Sequence, residues 1–215
     1  LLISEGLVHP SFVARRRLTT LLSEGGREVV PMNRGEAVEA LRTSHPRLVV
    51  LYLHRPADDE AIVDALAAYV RAGGALLGVH SATASFKRNA LYRELLGGHF
   101  TGHARVGRGT MLLEPAPGAG ASSPGSGVAP LLPERVVLVD ERYRHEFIRE
   151  VAVWYRWDGG DPAVWTATFG DGRVGYLAPG HRARAWRSDP LAEVLAVLAT
   201  WLTTKPQAGV LGGGR

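Results

Sequence analysis

The chain of 215 residues is 46% hydrophobic and 21% charged, which excludes a disordered or fibrous protein and is long enough for one domain with a full core. It contains no cysteine, so disulfides, zinc–thiolate and iron–sulfur centres and thiol nucleophiles are all ruled out. The net charge of +4 rests on arginine: of 25 basic residues only Lys87 and Lys205 are lysines, which leaves 23 arginines. These fall in short clusters without interleaved stacking aromatics, so no nucleic-acid partner is expected.

In chain order, residues 1–3 read as the stub of a strand, followed by a helix over 11–25 with Ser11 as its N-cap. A short strand over 28–31 and a short helix over 35–43 come next. Residues 48–53 (Leu-Val-Val-Leu-Tyr-Leu) are continuously apolar and largely branched, the mark of a strand buried on both faces. Asp58 opens a helix on which Ile62, Ala65, Leu66, Tyr69 and Val70 recur at helical spacing. Gly73-Gly74 ends it, and residues 75–79 form the next buried strand. Alternating strands and helices with short loops predict an α/β fold built on a parallel sheet with right-handed crossovers.

Beyond Phe100 the pattern changes to strands over 105–113, 136–140, 151–157, 164–169 and 173–178, and a closing helix over 190–203. Residues 115–130 are rich in Pro, Gly, Ala and Ser without periodicity and read as a flexible surface loop. The expected organisation is one domain over 1–205 with a tail over 206–215. No apolar run reaches the roughly 18 residues of a spanning helix, so no membrane partner is expected. No signal-like segment opens the chain, and a cytoplasmic protein is expected. It begins with Leu1 rather than Met, so the sequence does not fix its native start.

In an open parallel sheet, ligands bind beyond the carboxyl ends of the strands. His54 follows the third strand, His80-Ser81 the fourth and Pro179-Gly180-His181 the last, while Asp140-Glu141 closes the strand before Tyr143. Residues 97–103 form a glycine-rich loop carrying His99 and His103. Gly78-Val79-His80-Ser81-Ala82 has the form of a nucleophile elbow, with small residues around a central position that sits on a strained turn.

The stretch Gly73-Gly74 through Gly78-Val79-His80-Ser81-Ala82-Thr83 resembles the ThuA-like (trehalose-utilisation) family, as do Tyr92, Glu94-Leu95, Gly97-Gly98, Phe100 and Gly102-His103. Asp140-Glu141-Arg142-Tyr143, the block from Pro162 to Tyr176 and Pro179-Gly180-His181 complete the likeness, in order, from about Leu48 to Trp201. The resemblance implies a flavodoxin-like, class I glutamine amidotransferase-like three-layer sandwich with a mostly parallel sheet and additional C-terminal strands. It also implies a role in the metabolism of trehalose or related keto-sugars. Amidotransferases of this fold keep cysteine at the elbow and His-x-Glu after a later strand. Here His80 holds the elbow and Ala183 stands two residues beyond His181, so amidotransferase chemistry is excluded. The usual His-Pro before the Asp-Glu strand is replaced by Ala129-Pro130, and the acidic and tryptophan residues expected around Phe86-Lys87-Arg88 are missing.

The expected catalytic groups are His80, Glu141 and His181, with His80 as central acid/base in a hydrolase-, lyase- or isomerase-type reaction on a sugar. Ser81, His103, Tyr143 and Trp186 are the expected substrate-binding residues, with Trp186 and Tyr143 as platforms for sugar C–H faces and Trp165 in the core. His80, His103 and His181 are candidate ligands for a divalent transition metal, zinc or similar, which would polarise a carbonyl or acidify a water. The plainer alternative has these imidazoles bonding only backbone and sugar. Asp140 is expected to cap or pair, His99 to be a rim residue, and His9-Pro10 and His45-Pro46 to be turns. The expected partner is a small carbohydrate, and homo-oligomerisation through the later strands is considered. A second functional reading is a non-catalytic sugar-binding or regulatory module on a degenerate enzyme fold.

Overall fold

The computed structural model describes residues 1–6, 12–24, 26–115 and 131–204. His9, Ser11, Gly25, Ala129-Pro130, the expected loop from 116 to 130 and the tail from 206 lie outside the described residues. The first half alternates as its sequence predicts: β1 (Leu2–Ile3), α1 (Phe12–Glu24), β2 (Pro31–Met32), α2 (Arg34–Thr43), β3 (Val49–Leu51), α3 (Glu60–Arg71) and β4 (Ala75–Val79). Local chemistry sets these boundaries. Asn33 and Glu36 close a reciprocal capping box on α2, and the Asp59 side chain accepts from the Ile62 amide at the start of α3. The strand expected at 28–31 is confined to Pro31–Met32, with Leu2 opposite Pro31 and Ile3 opposite Met32. It sits at the sheet edge, where a proline that cannot donate costs no ladder bond.

After β4 come α4 (Ala90–Leu96), β5 (Gly98–His103), β6 (Gly107–Leu113), β7 (Arg135–Asp140), β8 (Tyr143–Phe147), β9 (Ala152–Trp157), β10 (Pro162–Phe169), β11 (Gly172–Leu177) and α5 (Asp189–Thr203). Among the described residues, nine strands form one sheet in the order β2-β1-β3-β4-β11-β10-β9-β6-β7. The first five are parallel and the rest alternate, so seven of the nine point the same way. β5 and β8 pair antiparallel as a separate ribbon. Both stretches read as loops in the sequence, because glycine in one and charge in the other obscure the alternation of a strand.

Helices cover both faces of the sheet. α1 and α5 pack with β1, β3 and β4 and reach β6, β7 and β9 through Met111, Val136, Leu138, Trp154 and Trp157. α2, α3 and α4 bury Ile62, Leu66, Val70, Leu95 and Leu96 against the opposite face. The ribbon completes that second layer: Phe147 packs at the edge of a small core of Trp165, Tyr176 and Ala178. The result is a flavodoxin-like α/β sandwich whose strands β4 and β11 lie side by side, Val79 opposite Leu177, and release their next residues at one place.

Candidate functional site

His80 follows β4 directly and has φ +46°, a left-handed conformation that side chains rarely adopt. The strained elbow expected from Gly78-Val79-His80-Ser81-Ala82 is therefore present, and it leads into a buried 3-10 turn over His80–Ala84. Both flanks must be small. A Cβ on Gly78 would meet Tyr176, Ala82 and Leu96 at 3.3–3.4 Å. Gly180, at φ +143°, lies across from the elbow, and a Cβ there would stand 3.0 Å from Trp186 and 3.1 Å from the His80 Cβ.

The elbow is held by a buried polar network. The Tyr176 hydroxyl donates to the His80 carbonyl at 2.7 Å and accepts from Thr83 Oγ1 at 2.9 Å. His145 Nε2 closes the group, 3.1 Å from Thr83 Oγ1 and 3.2 Å from the Tyr176 oxygen. Burial, with a smaller contribution from His99, pushes the His145 pKa down to about 3, so this imidazole is neutral. His145, two residues after Tyr143, is a sequence candidate for reaching the cleft, whereas nothing in the local pattern marks Thr83 or Tyr176, which lie on other elements.

The His80 ring is buried, and its Nδ1 lies 2.9 Å from the Ala178 carbonyl. A carbonyl only accepts, so Nδ1 carries a proton and Nε2 is the ring nitrogen turned to the cleft. Nε2 faces Glu141 Oε2 at 3.7 Å. The same carboxylate oxygen lies 3.0 Å from His181 Nδ1, and Oε1 lies 3.6 Å from His103 Nδ1. Ligand atoms of His80, Glu141 and His181 all fall within 4.8 Å of one another. Burial raises the Glu141 pKa, and the charges of His103 and Arg182 oppose it.

The remaining expected site residues divide. His103 stands at the rim, half exposed, with Nδ1 also 3.0 Å from the Ala104 carbonyl, so Glu141 takes the third place in the compact cluster. Tyr143 is buried with its ring between His80 (4.2 Å between centroids) and Phe100 (4.5 Å). Burial and the neighbouring Glu141 and Asp140 raise its pKa, so the phenol stays protonated. Ser81 is fully buried, and its Oγ has no hydrogen-bond partner among the described residues. Trp186 is only 1% exposed and packs edge-on to Tyr52 beneath Gly180. Its faces belong to the core, so it braces the His181 loop from below instead of offering a stacking platform. Trp165 is buried as expected and donates its indole N–H to the Leu96 carbonyl at 3.0 Å. A concavity of about 890 Å³ lies elsewhere, lined by Leu2, Ser4 and residues of α1, β2 and α2.

The site thus lies where a central parallel strand of a flavodoxin-like α/β sandwich ends in a strained turn, with histidine on that turn. Residues 3–202 match the family described as ThuA, trehalose utilisation, and the chain belongs to that family. Among solved structures it is similar to a ThuA-like protein from Parabacteroides merdae (18% identity, 94% of this chain and 88% of that one, TM-score 0.77). It is also similar to a cytoplasmic protein from Salmonella typhimurium (14% identity, 94% and 98%, TM-score 0.68). A third likeness is to part of the β-galactosidase from Bacillus circulans (12% identity, 95% of this chain and 31% of that one, TM-score 0.61). At these identities the likenesses concern the fold alone. No curated protein matches the sequence. Among the described residues no helix is long and apolar enough to cross a membrane.

Proposed function

We propose that the protein is a cytoplasmic enzyme of trehalose-related carbohydrate metabolism that uses His80, Glu141 and His181 to act on a small sugar, with a divalent transition metal held among them. The family supports the metabolic context. One observation carries the site: with His80 Nδ1–H committed to Ala178, Nε2 is the nitrogen that faces a carboxylate oxygen. Something positive belongs between them, a proton or a metal. The 3.0 and 3.7 Å separations bracket the roughly 3.3 Å ligand–ligand edge of a tetrahedral site with bonds of about 2.0–2.1 Å. The bond from His80 Nδ1 to a backbone carbonyl is also the usual way in which a ligating imidazole is oriented.

A bound metal would polarise a sugar carbonyl or acidify a coordinated water. The chain's own part is to hold His80 in one tautomer, to keep Glu141 largely out of water and to bring His103 to the rim as a further proton donor. Hydrolysis, elimination or isomerisation beside a carbonyl all need such a proton-handling cluster.

The test is metal content in protein purified without chelator or nickel affinity. About one equivalent is expected in the wild type, lost in Glu141→Gln and His181→Ala. No metal after reconstitution with zinc, manganese, iron or nickel would remove the metal and leave the proton. Undiminished turnover of keto-sugars by a folded His80→Ala variant would refute the catalytic role. Sugar binding without product under every metal would favour the binding module.

A further inference from the structure

Asp140 is the last residue of β7 and only 1% exposed, an unusual place for a carboxylate. β7 is the edge strand of the sheet, four places from β11. At about 4.8 Å per strand, a flat sheet would set their ends about 19 Å apart. Instead Asp140 Oδ2 accepts from the Gly180 amide, just beyond β11, at 2.7 Å. Oδ1 accepts from the Arg182 amide at 3.2 Å and from the Glu141 amide at 2.9 Å. The chain just beyond β11 and the end of the edge strand therefore meet, and one carboxylate ties the two segments. The amides it holds flank His181 on both sides and include that of Glu141.

We infer that Asp140 is a positioning residue, which brings Glu141 and His181 into register by binding the backbone of both segments. This rests on the reading of His80, Glu141 and His181 as one functional cluster. Asparagine is nearly isosteric but keeps only one acceptor oxygen, and its amide group would face a backbone N–H donor to donor. Asp140→Asn therefore releases either the Gly180 contact or the contacts to Arg182 and Glu141, while adding no bulk.

The experiment compares wild type and Asp140→Asn, both shown to be folded by circular dichroism and held well below their melting temperatures. The probes are zinc affinity and the visible spectrum with cobalt. A loss of affinity of roughly 10- to 100-fold and an altered cobalt spectrum are expected, as for other residues that orient ligands. A folded variant with wild-type affinity and spectrum would overturn the inference and leave Asp140 a simple staple. A second measurement needs no metal: the energetic coupling between Glu141→Gln and His181→Ala, read from denaturation of the apo protein in the wild-type and the Asp140→Asn backgrounds. The coupling should disappear in the Asp140→Asn background, and its persistence there would count against positioning. If the wild type takes up no metal, the metal reading fails, while this cycle still decides the role of Asp140.

Discussion

Replacing Gly180 by alanine tests how the elbow and the His181 loop are fitted together. The backbone at Gly180 has φ +143°, a region essentially reserved for glycine, and forcing another residue into it costs about 1–3 kcal/mol. The new methyl group would also meet Trp186 at 3.0 Å and the His80 Cβ at 3.1 Å, both on buried residues that have little room to move. Overpacking of this kind costs about 1–3 kcal/mol, and alanine returns about 0.4–1 kcal/mol by stiffening the unfolded chain. The net expectation is a loss of about 2–4 kcal/mol. Gly78→Ala provides the contrast, since its φ is not positive and its nearest contacts are 3.3–3.4 Å, so it should cost about 1 kcal/mol or less. Urea denaturation followed by tryptophan fluorescence measures both variants. Equal costs for the two, or a Gly180→Ala protein within about 0.5 kcal/mol of wild type on the scale of ordinary surface changes, would refute the argument.

Tyr176→Phe strips the donor from the buried His80 carbonyl and a partner from Thr83 and His145, so it should lower stability by about 1–3 kcal/mol. A denaturation midpoint unchanged from wild type would mean that this network does not hold the elbow. His145 titrates at about 3 in the folded protein against 6.5 unfolded. Its contribution is thus complete above pH 6.5 and is lost as pH falls toward 3. Between pH 8 and pH 5 the loss is at most about 2 kcal/mol, because part of the ring surface is exposed although Nδ1 is shielded from water. Stability curves of wild type and His145→Gln at the two pH values check this, and parallel curves would count against it.

Much of the fold is legible because burial on both faces leaves a plain record. Residues 48–53 and 75–79 are unbroken apolar runs, and the second is the strand that carries the elbow. The elbow is legible for a local reason, since small residues around His80 are a steric requirement visible in five consecutive letters. The β5–β8 ribbon is not legible, because glycine in β5 and charge in β8 obscure the alternation of a strand. Trp186 shows a different limit. Its position beside His181 in sequence suggests a platform, but sequence proximity does not say which side of a loop a ring takes. Apolar area wins: the indole goes under Gly180 and into the core with Tyr52. The Tyr52 hydroxyl in turn donates to the Gly180 carbonyl. The role of Asp140 depends on the meeting of the edge strand's end with the chain beyond β11, which no window of sequence contains.

The missing acid of the amidotransferase pattern shows how that meeting changes the chemistry. In that pattern a carboxylate two residues beyond the second histidine serves it, and here that position is Ala183. Yet His181 does not lack an acid, because Glu141 reaches its Nδ1 at 3.0 Å from the far edge of the sheet. The carboxylate has been supplied by another strand, on the side of the imidazole that also faces His80. A carboxylate behind the second histidine would serve a proton relay to a thiol. Placed between two histidines it faces both, and no thiol stands at the elbow for a relay to activate. The same fold positions that elsewhere assemble a nucleophile, a base and an acid thus converge here on a single point between two nitrogens and an oxygen. That arrangement suits holding a cation or passing a proton, and without a thiol at the elbow the amidotransferase route through a thioester is closed.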